Sequence, residues 1–167
     1  MKIELVIDDG LRIPVGYEML EAALRYWEIG DDNLAQLEAL AGHPAKETRV
    51  LLAGKDNLTQ TAFRKLFATR DFAVIEALLN NAANAGYFSK EMLAGLIAQS
   101  EFANIVARSV GDFPHADDVI CEALASHSDP YVRNALAGNC DTPSLLLRML
   151  VNDEDPSVAK SAKQALE

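Results

Sequence analysis

Leu124–Leu150, LASHSDPYVRNALAGNCDTPSLLLRML, holds the most regular pattern of caps and apolar positions in the chain. It reads as two short helices joined by a turn. Asp129-Pro130 opens the first. The aspartate accepts hydrogen bonds from the first free helix amides, and a proline at the first helical position gives up no N–H that the helix uses. Val132, Ala135 and Leu136 fall three and four apart, which predicts a core-facing stripe. Gly138-Asn139 is expected to end the helix, since both residues tolerate left-handed backbone angles. Thr142-Pro143 repeats the cap-plus-proline device, and Leu145, Leu146, Met149 and Leu150 are expected to form the second apolar stripe. Asp155-Pro156 then opens the same phrase again.

Copies of this unit account for most of the chain. Residues 38–66 lie on 122–150 at a shift of 84 without a gap, and 11 of 29 positions are identical. Chance would give about two matches at this composition, so the self-similarity is a property of the chain. A third copy, LFATRDFAVIEALLNN, starts at Leu66. A worn one starts at Leu96, with Glu101-Phe102 where Asp-Pro stands elsewhere. A last one, LVNDEDPSVAKSA, starts at Leu150. The unit leucines Leu40, Leu66, Leu96, Leu124 and Leu150 are spaced 26, 30, 28 and 26 residues apart. The two longer units carry insertions near Asn80–Phe88 and Val110–His115, expected as loops on one face, which in solenoids is often the binding face.

The phrase from Asp129 to Leu146, D-P-x-V-R-x-A-L-A-x-N-x-x-T-P-x-x-L-L, resembles the variant leucine-rich repeat, a bacterial relative of HEAT-like helical repeats. The resemblance is close over that unit, covers half of the last one, and is loose over residues 40–81. It implies an all-α fold, a right-handed α-α superhelix of short alternating helices. Some members of that family carry an N-terminal cysteine cluster for an iron–sulfur group. Here the two cysteines are Cys121 and Cys140, so that property does not transfer and no cofactor is expected.

Residues 2–15 stand outside the repeat pattern. Ile3, Leu5 and Ile7 alternate with polar or smaller residues, Asp9-Gly10 follows, and Leu11, Ile13 and Val15 alternate again, which predicts a β-hairpin over 1–16. Pro14 confines the second strand to an edge. The hairpin either covers the apolar end of the solenoid, which repeat proteins need in order to stay soluble, or pairs with a second copy or a partner. Residues 17–167 are expected as one helical repeat domain of about ten short helices. Its first helix, Tyr17 to Glu28, is expected to turn Met19, Leu20, Ala23, Leu24 and Trp27 inward. Asp31 or Asp32 caps the next helix, whose stripe is Leu34, Leu37 and Leu40.

The formal net charge of −10, concentrated in the first 40 residues (nine acids against three bases), argues against a broad phosphate-binding surface. No stretch reaches about 20 apolar residues, so no membrane span is written, and the N-terminus lacks a signal peptide's apolar run, which makes a cytoplasmic location the expectation.

The chemistry-bearing residues each have two readings. Arg49 and Arg133 share one repeat position, and Arg64 and Arg148 another. They form either a row of guanidinium groups for carboxylates or phosphates, or a ladder pairing with turn aspartates of neighbouring units, as Asp129 and Arg133 suggest. For Arg148, on the second helix that usually lines the concave side, the two readings stand level. His43 and His127 sit just after helix ends, where a histidine can bond free carbonyls. The 84-residue shift sets them too far apart to share a metal, and no metal site is expected. No G-x-S-x-G, phosphate-binding glycine loop or H-E-x-x-H is present, and no catalytic residue is named. The expected function is a non-enzymatic scaffold binding a protein or peptide on its concave helices and insertion loops, with Arg64, Arg148, Tyr87, Phe88 and Phe113 as binding candidates. The alternatives are an enzyme on a HEAT-like scaffold, glycosylase-like or lyase-like, and an assembly subunit that forms a homodimer through the hairpin or the end helix.

Overall fold

A computed structural model of the chain describes residues 4–6, 10, 12–26 and 34–167. Trp27, Asp31, Asp32, and the hairpin turn apart from Gly10 lie outside the described residues. Two three-residue strands, β1 (Glu4–Val6) and β2 (Arg12–Pro14), pair antiparallel with Leu5 opposite Ile13. On their shared face Arg12 Nη1 lies 3.2 Å from Glu4 Oε2. All other described elements are helical. They divide into two compact units, Met1–Asn84 and Ala85–Glu167, and the boundary falls inside the 80–88 insertion.

The first unit holds α1 (Tyr17–Tyr26), α2 (Leu34–Leu40), α3 (Lys46–Ala53), α4 (Gln60–Ala68) and α5 (Phe72–Leu79). α1, α3 and α5 pack in succession, and α2 packs on α4. The second unit holds α6 (Lys90–Leu96), α7 (Ser100–Arg108), α8 (Asp118–Ala125), α9 (Pro130–Ala137), α10 (Ser144–Leu150) and α11 (Pro156–Ala165). Here α7, α9 and α11 form one layer and α6, α8 and α10 the other. Two layers arise because each short helix has one apolar stripe and buries it against the opposite layer.

The five unit leucines are all buried, each in the last turn of α2, α4, α6, α8 or α10, the second-layer helices of their units. The caps are local and follow the sequence. Asp71, Asp129 and Asp155 accept from the amides two residues on, at 3.1, 2.9 and 2.8 Å. Thr59, Ser89 and Asp117 cap α4, α6 and α8 by accepting from the amides three residues on.

Several expectations are corrected. Thr142 does not cap α10. Its hydroxyl is buried and donates to the Leu136 carbonyl at 2.6 Å, sealing the end of α9, and Pro143 stands at the N-cap without a side-chain bond. Gly138 has φ −86°, so α9 ends without a left-handed residue. In α9 the buried set is Val132, Arg133, Leu136 and Ala137, with Ala135 half-buried. In α10 it is Leu146, Leu147 and Leu150, while Leu145 and Met149 point outward. In α1 Leu20 is buried, but Met19 and Ala23 are exposed. The insertions are not simple loops. They contain 3₁₀ turns at Ala82–Tyr87 and Val110–Asp112, and they send Ala85, Phe88, Val110 and Phe113 into the interior.

Candidate functional site

Two arrangements in the helical layers carry chemistry, and both follow from the repeat register. The first is polar and lies at the inter-helix turns. Three residues after four of the five unit leucines stand His43, Thr69, His127 and Asp153, with Gln99 at that place after Leu96. Each of the four accepts the backbone N–H two residues further on. His43 Nδ1 takes Ala45 at 3.1 Å and Thr69 Oγ1 takes Asp71 at 3.3 Å. His127 Nδ1 takes Asp129 at 3.0 Å and Asp153 Oδ1 takes Asp155 at 2.8 Å. The histidines therefore act as acceptors that tie the turn, not as donors to helix-end carbonyls. Their own carbonyls receive the arginines instead: Arg49 Nη1 donates to His43 O at 2.6 Å, and Arg133 Nη1 donates to His127 O at 2.8 Å.

Each arginine also reaches forward to the turn of the next repeat. Arg49 Nη2 lies 3.6 Å from Asp71 Oδ2. Arg133 grips Asp153 with two parallel bonds, Nε to Oδ2 at 2.7 Å and Nη2 to Oδ1 at 2.9 Å, and touches the exposed Glu154 at 3.4 Å. Asp129, expected as its partner, serves only the cap. Arg133 and Asp153 side chains are 8% and 7% exposed, so the pair is nearly shut off from water. The hydrogen bonds from Arg133 hold the Asp153 carboxyl below the usual carboxylate range and outweigh the opposing effect of burial. Above this pair is a shallow open recess bordered by His127, Arg133, Asp153 and Glu154. The fork of Arg133 is spent on Asp153 and on backbone carbonyls, so the recess offers an incoming anion little. The ladder reading of Arg49 and Arg133 is the one that the geometry supports.

Two buried asparagines also bond backbone carbonyls of another repeat. Asn84 Nδ2 donates to Ala53 O at 3.0 Å, at the end of α3. Asn139 Nδ2 donates to Arg108 O at 2.6 Å and Ala107 O at 3.3 Å, at the end of α7. Each satisfies helix-terminal carbonyls of the preceding repeat, groups that have no partner within their own helix.

The second arrangement is apolar and faces outward. α8 and α10 pack side by side. Val119 on α8 is 57% exposed, and on α10 Leu145 and Met149 are 71% and 56% exposed. Val119 and Leu145 both stand five residues before their unit leucine, and Met149 stands one before, as exposed Ala123 does on α8. Positions four apart share a helix face, so four apolar side chains form a two-helix stripe. Asp118, Glu122 and Arg148 flank it, and all three are exposed.

The sequence-derived candidates separate. Arg148 is exposed beside this stripe, on α10. Arg64 is exposed on α4, in the other unit. Tyr87 is half-buried at the end of its 3₁₀ turn. Phe88 and Phe113 are corrected from binding loops to core: both are buried, packed edge to face with ring centroids 5.6 Å apart. Each insertion thus contributes one buried ring. Cys121 is buried, which pushes its thiol up and keeps it protonated, as plain packing requires. Among the described residues no group of three His, Cys, Asp or Glu is arranged to hold a metal, and no helix is long and apolar enough to cross a membrane.

The reading of α10 as a single inward stripe hid Leu145 and Met149. The signal that exposes them is comparison across copies, because equivalent positions in the other second-layer helices are small or polar. Comparison of the chain with protein-family models, with curated proteins and with solved structures gives no match.

Proposed function

We propose that the chain is a non-enzymatic repeat scaffold of the HEAT-like kind, a right-handed α-α superhelix whose N-terminal strands cover its apolar end. In this reading it binds a protein or peptide on the outward face of its second-layer helices. The repeat reading is supported by the recurrence, in both units, of the buried unit leucine, the turn acceptor three residues later and the arginine six beyond that. The single observation that carries the binding reading is the exposed stripe Val119–Ala123–Leu145–Met149. An apolar surface of this kind is costly in water unless something covers it. Methionine beside leucine and valine gives a soft surface that adapts to a partner's side chains.

A photo-cross-linking residue placed at Leu145, with a second protein carrying it at Lys65, tests the reading. Lys65 stands one residue before its unit leucine on α4 and is exposed. The expected result is a discrete protein adduct from position 145 in extract of the source cells, absent from position 65 and lost when Met149→Ser is added. Equal labelling from both positions would refute a partner-specific face.

A further inference from the structure

The repeat supplies its own control for what the fold requires at the outward positions. Five and one residues before the unit leucine stand Ala35 and Ala39 on α2, Thr61 and Lys65 on α4, and Glu91 and Gly95 on α6. All six are exposed, and none is a large apolar residue. The same two positions become Val119 and Ala123 on α8, and Leu145 and Met149 on α10. The backbone and its packing are served by alanine, threonine, lysine, glutamate or glycine at this place. The large apolar residues on α8 and α10 are therefore additions to the fold and not requirements of it.

Charge says which partner such a stripe takes. Residues 85–167 carry twelve acids against six bases. Two of those bases are already committed, Arg133 to Asp153 and Lys90 to Asp117. On the face itself Asp118 and Glu122, four apart on α8, run beside Val119 and Ala123, while Arg148 is the cation of α10. α8 and α10 are in contact, and packed helices lie about 8–10 Å apart axis to axis, a spacing across which one further helix can rest on both.

Resting on the binding reading above, we infer that the α8–α10 face receives a basic amphipathic helix. The apolar side of that helix sits on Val119, Leu145 and Met149, and its lysines or arginines meet Asp118 and Glu122. Apolar contact supplies the affinity, and the acidic rim selects the charge and speeds the encounter.

The test uses two synthetic helical peptides of roughly 14 residues, about four turns, one of leucine and lysine and the other of leucine and glutamate in the same pattern. Binding to the full chain is followed by fluorescence anisotropy. The leucine–lysine peptide is expected to bind, and the Leu145→Ser/Met149→Ser double variant to weaken it by roughly 100-fold, through loss of two buried anchors. Asp118→Asn/Glu122→Gln is expected to weaken it several-fold, as is raising the salt to about 1 M, where screening is nearly complete. Thr61→Ser/Lys65→Ser on α4 is expected to leave it unchanged. Unchanged circular dichroism and melting temperature show that the surface variants are folded.

If both peptides bind equally and both depend on Leu145 and Met149, the charge inference is overturned while the face remains a binding face. If neither senses the double variant, both readings fall. Sedimentation of the chain alone separates the rival occupant: a dimer dissolved by Leu145→Ser/Met149→Ser would overturn the inference in favour of a second copy.

Discussion

Replacing Arg133 by alanine removes a guanidinium that joins one repeat turn to the next. The side chain is buried, and its strongest partner, Asp153, is buried with it. Arg133→Ala leaves that carboxylate desolvated, with only the Asp155 amide as hydrogen-bond donor, and takes the donor from the His127 and Ser128 carbonyls. Breaking a buried pair on one side costs about 3–5 kcal/mol. The Glu154 contact adds little, because that side chain is 89% exposed. Against a typical total of about 5–15 kcal/mol the loss is large.

Arg133→Lys keeps the charge but cannot span both Asp153 oxygens and two carbonyls, so roughly half the loss is expected. In a double-mutant cycle with Asp153→Ala the coupling is expected at about 1–3 kcal/mol. Urea unfolding followed by circular dichroism, with the slope unchanged between variants, gives these values. A cost for Arg133→Ala below about 1 kcal/mol, the range of an exposed pair, would refute the claim that this arginine locks the turn. The sign of the acid dependence is set by the same contact. The folded-state pKa of Asp153 lies below its unfolded value of about 3.9, so the stabilisation is complete above that pH and is lost as pH falls below it toward the folded value. Arg133→Ala should flatten that acid limb, and an unchanged limb would assign it to other carboxylates.

The other predictions concern register and burial. Leu145→Ala should leave stability within about 0.5 kcal/mol of the parent, whereas Leu146→Ala, one residue along the same helix, should cost about 2–5 kcal/mol. Similar values for the two would put the wrong face of α10 inward. Leu136→Ala, at a fully buried position, should also cost about 2–5 kcal/mol in thermal or urea unfolding, and a value near zero would place it outside the core. Asn139→Ala strips the donor from the Ala107 and Arg108 carbonyls and should cost about 1–3 kcal/mol. It should also raise hydrogen exchange at the end of α7, and exchange unchanged there would deny the asparagine its linking role.

The parts of the fold legible in the chain are those decided within a few residues. Asp129-Pro130 and Asp155-Pro156 start helices because a side-chain oxygen two or three residues from a free amide needs no distant partner. The unit leucines could be read because a residue recurring at each repeat, on the inner side of a short helix, has to be core. SLLLRML in α10 could not be resolved in the same way. It is apolar on nearly every side, so a 3.6-residue period admits more than one stripe, and only the packing of α8, α9 and α11 against it selects Leu146, Leu147 and Leu150. Thr142 has the spelling of a cap, yet its hydroxyl is taken by a carbonyl six residues back. Phe88 and Phe113 lie 25 positions apart and bury each other, which neither insertion announces alone.

The repeat, its leucine framework and its Asp-Pro helix starts are written locally, because they depend on contacts inside one unit. Tertiary structure alone decided the Arg133–Asp153 lock, the asparagine links and the outward face of α8 and α10. Each of these depends on which side of a helix the neighbouring repeat covers, and that is set by residues 20 or more positions away.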